Sequence, residues 1–225
     1  GAWRRCMLRR VKALRARDPV SGYTHLGGLG LALVGGIVLA RRARPGAELL
    51  ADVTYATCLV ALYAASSAYH LARARQELLM RLRKLDHAAI ALAIAGTCTP
   101  VFLRAFAGGV RIGMLGAVWT LAAIAIVLRL AWMKAPRALY TAMYVAMGWI
   151  VLVQGPRALQ SLPPASIVLV VAGGATYTMG AVVYAFKRPN PFPNVFGFHE
   201  IFHALVIAAA TVHFIAMAGW VFPTA

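Results

Sequence analysis

Seven apolar runs, each close to twenty residues long, constrain this chain more than anything else in it. They fall at about 23–40, 49–71, 85–103, 110–128, 137–154, 165–186 and 200–222. An α-helix rises 1.5 Å per residue, so about twenty residues cross a hydrocarbon core of about 30 Å. A soluble domain cannot hide that much apolar surface. The expected fold is therefore all-α: a polytopic membrane protein with a seven-transmembrane helix bundle. Charge, glycine or proline bounds each run, and the fifth is the least sharply marked. The loops are too short to be domains. There is no internal repeat and no low-complexity tract.

Composition and charge exclude a soluble nucleic-acid binder. The formal net charge is +17, but the chain is 61% hydrophobic and has only six acids. Its basic residues sit in short clusters between apolar runs rather than on one soluble face. With the N-terminus assigned to the cytoplasm, the cytoplasmic segments carry seventeen Lys/Arg and the opposite side six. That asymmetry follows the positive-inside rule and puts the C-terminus outside. Residues 3–17 align Trp3, Met7, Val11 and Leu14 on one stripe among arginines. Residues 1–22 are thus expected to form a basic amphipathic segment on an anionic lipid surface, ahead of a membrane domain over 23–225. Cys6, Cys58 and Cys98 make no CxxC pair, and no disulfide framework is implied. Nothing after the first apolar run reads as a cleavage site, so no cleavable signal peptide is expected.

Ionisable groups inside membrane spans are costly and are functional candidates for that reason. On the expected topology, span 2 ends on the inner side with Ser66-Ser67-Ala68-Tyr69-His70, and span 3 begins there with Leu85-Asp86-His87. Span 7 begins there too, with His199 and His203 four residues apart on one helix face. Charge count and residue position are separate inputs, and they converge on one place. Three histidines suit zinc and leave the fourth tetrahedral position for water, the pattern of a catalytic site. The metal lowers the pKa of that water to roughly 7. Asp86 is the expected base that holds and deprotonates the water. Ser66, one turn before His70, is expected to hydrogen-bond Asp86, the water or a substrate oxygen.

Other polar residues are read more modestly. His25 is expected at headgroup level, with a fourth-partner role as the alternative. His87 is turned about 100° from Asp86 on an ideal helix and is expected off the shared face. His213 lies roughly 15 Å beyond His203 and is expected to hydrogen-bond between helices. His199-Glu200-Ile201-Phe202-His203 matches HExxH letter by letter, which keeps Glu200 in reserve as a general base behind Asp86. The glycines of span 1 suggest close helix packing. Gly96-Thr97-Cys98-Thr99-Pro100 suggests a kink in span 3. Trp119, Trp132, Trp149 and Trp220 are expected near span ends as interface anchors.

These residues also carry a resemblance. Ser66-x-x-x-His70, the Leu85-Asp86 opening of span 3, and His199-x-x-x-His203 running on to His213-Phe214 resemble the motifs of the hemolysin III family. That family is the bacterial branch of the superfamily that includes the progestin and adiponectin receptors. Thr24-His25-Leu26-Gly27 is similar to its first-span motif, and the likeness covers the chain from about residue 18. The resemblance implies seven spans with the N-terminus inside, in a bacterial cytoplasmic membrane. It also implies zinc on His70, His199 and His203, with Asp86 and Ser66 around the metal water. The chain departs from the family where Asp18-Pro19-Val20-Ser21 replaces an acid and an asparagine before the first span.

Three functions remain open at this point. One is a zinc-dependent, ceramidase-like hydrolase of a lipid amide or ester, acting in membrane lipid homeostasis. The second is a non-enzymatic receptor-like or membrane-sensing protein with structural zinc. The third, ranked last, is a pore-forming haemolysin, because no span carries the continuous polar stripe that a water-filled pore requires.

Overall fold

A computed structural model describes residues 17–192 and 195–221, with side chains up to Gly219. Of the predicted amphipathic segment over residues 1–22, residues 1–16 lie outside the described residues, and 19–22 already belong to the first membrane helix. All seven expected spans are present as helices long and apolar enough to cross a membrane. They are α1 (Pro19–Arg42), α2 (Ala47–Leu71), α3 (Gln76–Ala105) and α4 (Gly108–Ala131). A fifth span is built from α5 (Arg137–Gly148), a 3-10 turn (Ile150–Gln154) and α6 (Gly155–Ser161). It is followed by α7 (Pro164–Phe186) and α8 (Phe198–Ala216), the latter ending in a wider turn over Met217–Val221. No strand occurs among the described residues.

The helices depart from the apolar runs where polar flanks continue them. α1 starts at Pro19, whose fixed φ and missing N–H suit a first helical position. α3 starts at Gln76, well before the apolar run, because its basic leader is helical too. α3 is also the centre of the bundle, with 61% of its most apolar window buried. Small residues at Ala88, Ala91, Ala95 and Gly96 let its neighbours come close. A Cβ on Gly96 would stand 2.6 Å from that of Cys58 on α2. α3 runs on through Pro100, and the hydroxyls of Thr97 and Thr99 donate to the carbonyls of Ala93 (2.7 Å) and Ala95 (2.8 Å).

The glycines of α1 are used unevenly. A Cβ on Gly36 would meet the Ala56 Cβ at 2.7 Å, so α1 and α2 are close-packed there, whereas Gly27 and Gly30 face open space. Two tryptophans do not sit at interfaces. The Trp119 indole donates to Thr99 Oγ1 (3.1 Å) and that of Trp149 to Thr178 Oγ1 (2.9 Å), both from the middle of their spans. A buried indole N–H must find an acceptor, and a threonine on the next helix supplies one. In the ring of helices α8 lies between α7 and α1, which brings the seventh span back to the first.

Candidate metal centre

His70 stands on the last turn of α2, and His199 and His203 open α8. Their side chains meet at one end of the bundle, with one ligand nitrogen from each within 4.8 Å of the others. The Nε2 atoms of His70 and His199 are 3.4 Å apart. Two nitrogens on one tetrahedral zinc, each at about 2.0–2.1 Å, stand roughly 3.3–3.4 Å from each other. The spacing thus suits two ligands of one ion as well as a ring-to-ring hydrogen bond. All three donors are imidazoles, a set that fits zinc and other borderline divalent metals. His70 and His203 are 2% exposed, so the centre is closed to bulk water on those sides.

An outer shell holds these rings. Nδ1 of His70 faces Asp18 Oδ2 at 3.2 Å, and the Asp18 backbone N–H donates to the His70 carbonyl at 3.1 Å. The start of α1 is therefore clipped to the end of α2 twice. A carboxylate on Nδ1 fixes the proton there and leaves the Nε2 lone pair for a ligand. Arg17 braces the same carboxylate oxygen, its Nε donating to Asp18 Oδ2 at 3.2 Å.

The entry to α8 has its own fastening. Gly197 has no side chain with which to cap the helix, so Glu200 supplies the reciprocal bond: its Oε2 accepts the Gly197 N–H at 2.8 Å. Asn190 Oδ1 takes the N–H of Phe198 at 3.0 Å. Oε1 of Glu200 accepts the buried Ser21 hydroxyl at 3.0 Å, which ties α8 to α1. Both oxygens of the carboxylate held in reserve as a base are thus engaged in holding the helix.

Asp86 and Ser66 line one cavity with His199 and His203, of about 350 Å³. Asp86 is 9% exposed and Ser66 1%. Asp86 does not join the three histidines as a fourth ligand at this spacing. His87, expected off this face because it is turned about 100° from Asp86 on an ideal helix, lines the cavity as well. Its carbonyl accepts the Tyr144 hydroxyl at 3.2 Å. Away from this polar end the cavity walls are apolar, formed by residues such as Ile94, Val101, Phe102, Val151 and Val206.

His25, expected to face lipid headgroups, is turned into the bundle instead. It is 3% exposed and its ring stacks on His203 with centroids 3.8 Å apart and planes 23° apart. Neither of its ring nitrogens has a hydrogen-bond partner, and Nδ1 of His203 has none either. Close packing at the start of α1 turns the ring inward, against Tyr63 on α2 (5.2 Å, edge-on). His213 behaves as expected: its Nε2 lies 3.3 Å from the Val170 carbonyl on α7. Sequence reasoning missed Asp18 and Ser21 as parts of the shell. Their signal was an acid and a hydroxyl seven and four residues before His25, on one helical face.

Comparison with known proteins agrees with this architecture. The family model described as "Haemolysin-III related" matches residues 14–214. The chain is 29% identical to Hemolysin-3 of Bacillus cereus over 195 residues, covering 86% of this chain and 85% of that one. It is 28% identical to the Hemolysin-3 homolog of Bacillus subtilis (strain 168) over 184 residues, covering 81% and 83%. With seven membrane-length helices and a match over nearly its whole length, this chain belongs to the haemolysin-III-related family, as an integral membrane protein of the bacterial cell membrane.

Proposed function

We propose that the protein is a zinc-dependent hydrolase of a lipid amide or ester. One observation carries this reading: three histidine nitrogens lie within 4.8 Å of each other, and two of those histidines, His199 and His203, line an apolar cavity together with Asp86. His70, His199 and His203 would hold the metal. When bound, zinc supplies Lewis acidity and a water acidified to near neutrality. The chain's own residues supply the rest. Asp86 accepts the proton of the attacking water at a carboxylate oxygen and returns it to the leaving amine or alcohol. Ser66, which lines the same cavity, would orient that carboxylate by its hydroxyl. The apolar walls take the hydrocarbon chain and keep bulk water from the reacting carbonyl. The charge asymmetry of the loops supports a cytoplasmic N-terminus, with the segment before Pro19 lying on an anionic lipid surface.

The test is turnover of lipid amides and esters by the purified protein and by Asp86→Asn. The variant is expected to retain zinc and to lose about 10²–10⁴-fold in rate. A fully active variant would remove Asp86 as the base.

A second reading has its own support. Close approaches between α2 and α8 are few compared with those each makes to its sequence neighbours. A metal shared by His70, His199 and His203 would fasten these two helices, the role of a structural site in a receptor-like protein. That reading expects chelation to lower thermal stability with no lipid product formed at any zinc occupancy.

A further inference from the structure

The cavity's polar end carries more positive charge than the centre itself requires. Arg129 closes α4 and is only 8% exposed, an unusual place for a guanidinium. It spends one donor on the Met133 carbonyl at a long 3.4 Å and rests on the Tyr140 ring, 4.4 Å from its centroid. Arg137 opens α5, where the helix dipole disfavours a cation. It donates to the Tyr184 carbonyl at 3.0 Å and lies 4.4 Å over the Tyr184 ring. Arg83, on α3, reaches the same cavity, so three guanidinium groups from three spans line it.

None of them has an anionic partner. All six acids of the chain fall within the described residues. Asp18 is taken by Arg17 and His70, and Glu200 by Gly197 and Ser21. Glu48 and Asp52 belong to the opposite end of α2, and Glu77 is exposed on the first turn of α3. Asp86 lines the same cavity as Arg129 but does not approach any arginine within 4 Å. Loop arginines at a membrane face are ordinary, but a buried guanidinium lining a cavity with most of its donors free is not.

We propose that Arg83, Arg129 and Arg137 form an anion subsite at the cavity's polar end, which takes the phosphate of a lipid headgroup. Guanidinium forks match phosphate oxygens bidentately, and the apolar walls beyond them suit the attached chain. The proposal rests on the lipid reading above and narrows it: the substrate is an anionic amphiphile rather than a neutral one. Inorganic phosphate shares the headgroup's chemistry but lacks a chain for the apolar walls.

The test is calorimetric titration of the purified full chain, in neutral maltoside micelles, with dodecyl phosphate, dodecanol and inorganic phosphate. Dodecyl phosphate is expected to bind at least about tenfold more tightly than dodecanol, the usual gain from charge-assisted bonds. Arg129→Gln and Arg137→Gln should each erode that preference and leave dodecanol binding unchanged, while Arg129→Lys should keep part of it. Arg137, half-buried, decides the matter if the Arg129 variants do not fold. Equal binding of dodecanol and dodecyl phosphate, or an unchanged preference in Arg137→Gln, overturns the subsite. Full competition by inorganic phosphate at equal concentration overturns the lipid assignment. The same titration on His199→Ala separates this proposal from the hydrolase reading, since phosphate preference should survive there although zinc and turnover are lost.

Discussion

α8 carries histidines toward both of its ends, and the bundle treats them differently. His213 sits alone. Its Nε2 is 3.3 Å from the Val170 carbonyl, its ring stacks on Tyr177, and a glycine on α7 makes room for it. Ten residues earlier in the chain, His203 meets His25, His70 and His199, with ring centroids 3.8–4.9 Å away. A carboxylate stands behind one of those rings, at 3.2 Å from His70. Burial is alike at the two places, at 5% and 2% exposure. A histidine within the membrane is therefore not a ligand by virtue of depth or burial. Convergence of several rings and an outer carboxylate mark the candidate metal end, whereas a single carbonyl suffices for the other.

The sharpest way to break this comparison is to remove one histidine from each end. Wild type is expected to hold about one zinc per chain. His199→Ala should lose it, because two imidazoles seldom retain the ion that three hold. His213→Ala should keep its zinc and lose only stability. Elemental analysis of the three proteins decides. Zinc retained in His199→Ala, or lost in His213→Ala, would reverse the assignment of the two ends.

Much of the three-histidine cluster was legible in the sequence, because helical spacing is local. His199 and His203 must share a face at four residues' separation, and Ser66 must sit one turn from His70. The seven spans were legible because apolar length maps directly onto bilayer thickness. What escaped depends on how helices pack. Whether His25 turns toward lipid headgroups or inward is set by Tyr63 and His203, residues on other helices. The mid-span positions of Trp119 and Trp149 follow from threonines on neighbouring spans. The break in the fifth span, at Gly148–Gln154, has no strong sequence signal, since Ile150–Val153 is as apolar as any helix interior. Asp18 looked like a departure from a motif. Its partnership with His70 appears only once α1 and α2 are set side by side.

That partnership gives the next prediction. Asp18→Asn keeps the shape of the side chain and removes its charge, so the proton on His70 Nδ1 loses its anionic acceptor. Outer carboxylates of this kind are worth about 10–100-fold in metal affinity. Competition with a chromophoric chelator should show zinc held that much more weakly, with the same stoichiometry at saturation. A Ser21→Ala variant is the contrast. It releases Glu200 rather than a ligand histidine, and its zinc affinity should change less than that of Asp18→Asn. Equal losses in the two would mean that the shell acts through the general packing of α1 rather than through the His70 ring.

The smallest expected effect lies at the other end of α8 and tests whether it is only a packing site. A Cβ at position 173 would stand 2.6 Å from Cε1 of His213 and 2.8 Å from both ring nitrogens. A rigid ring bonded to the Val170 carbonyl has little room to retreat, so α7 and α8 must separate slightly. Overpacking of this sort costs about 1–3 kcal/mol. Gly173→Ala should therefore lower the thermal midpoint of the purified protein, and the same change made in a His213→Ala background should lower it much less, because the smaller side chain removes the clash. Two changes in contact are not expected to add, and the double variant measures the coupling directly. Zinc content should stay at the wild-type value throughout, since the clash is confined to a ring ten residues along the helix from His203. A drop in zinc on Gly173→Ala would show that the spacing of α7 and α8 is transmitted to the metal end, and the two ends of α8 would then have to be read as one coupled unit.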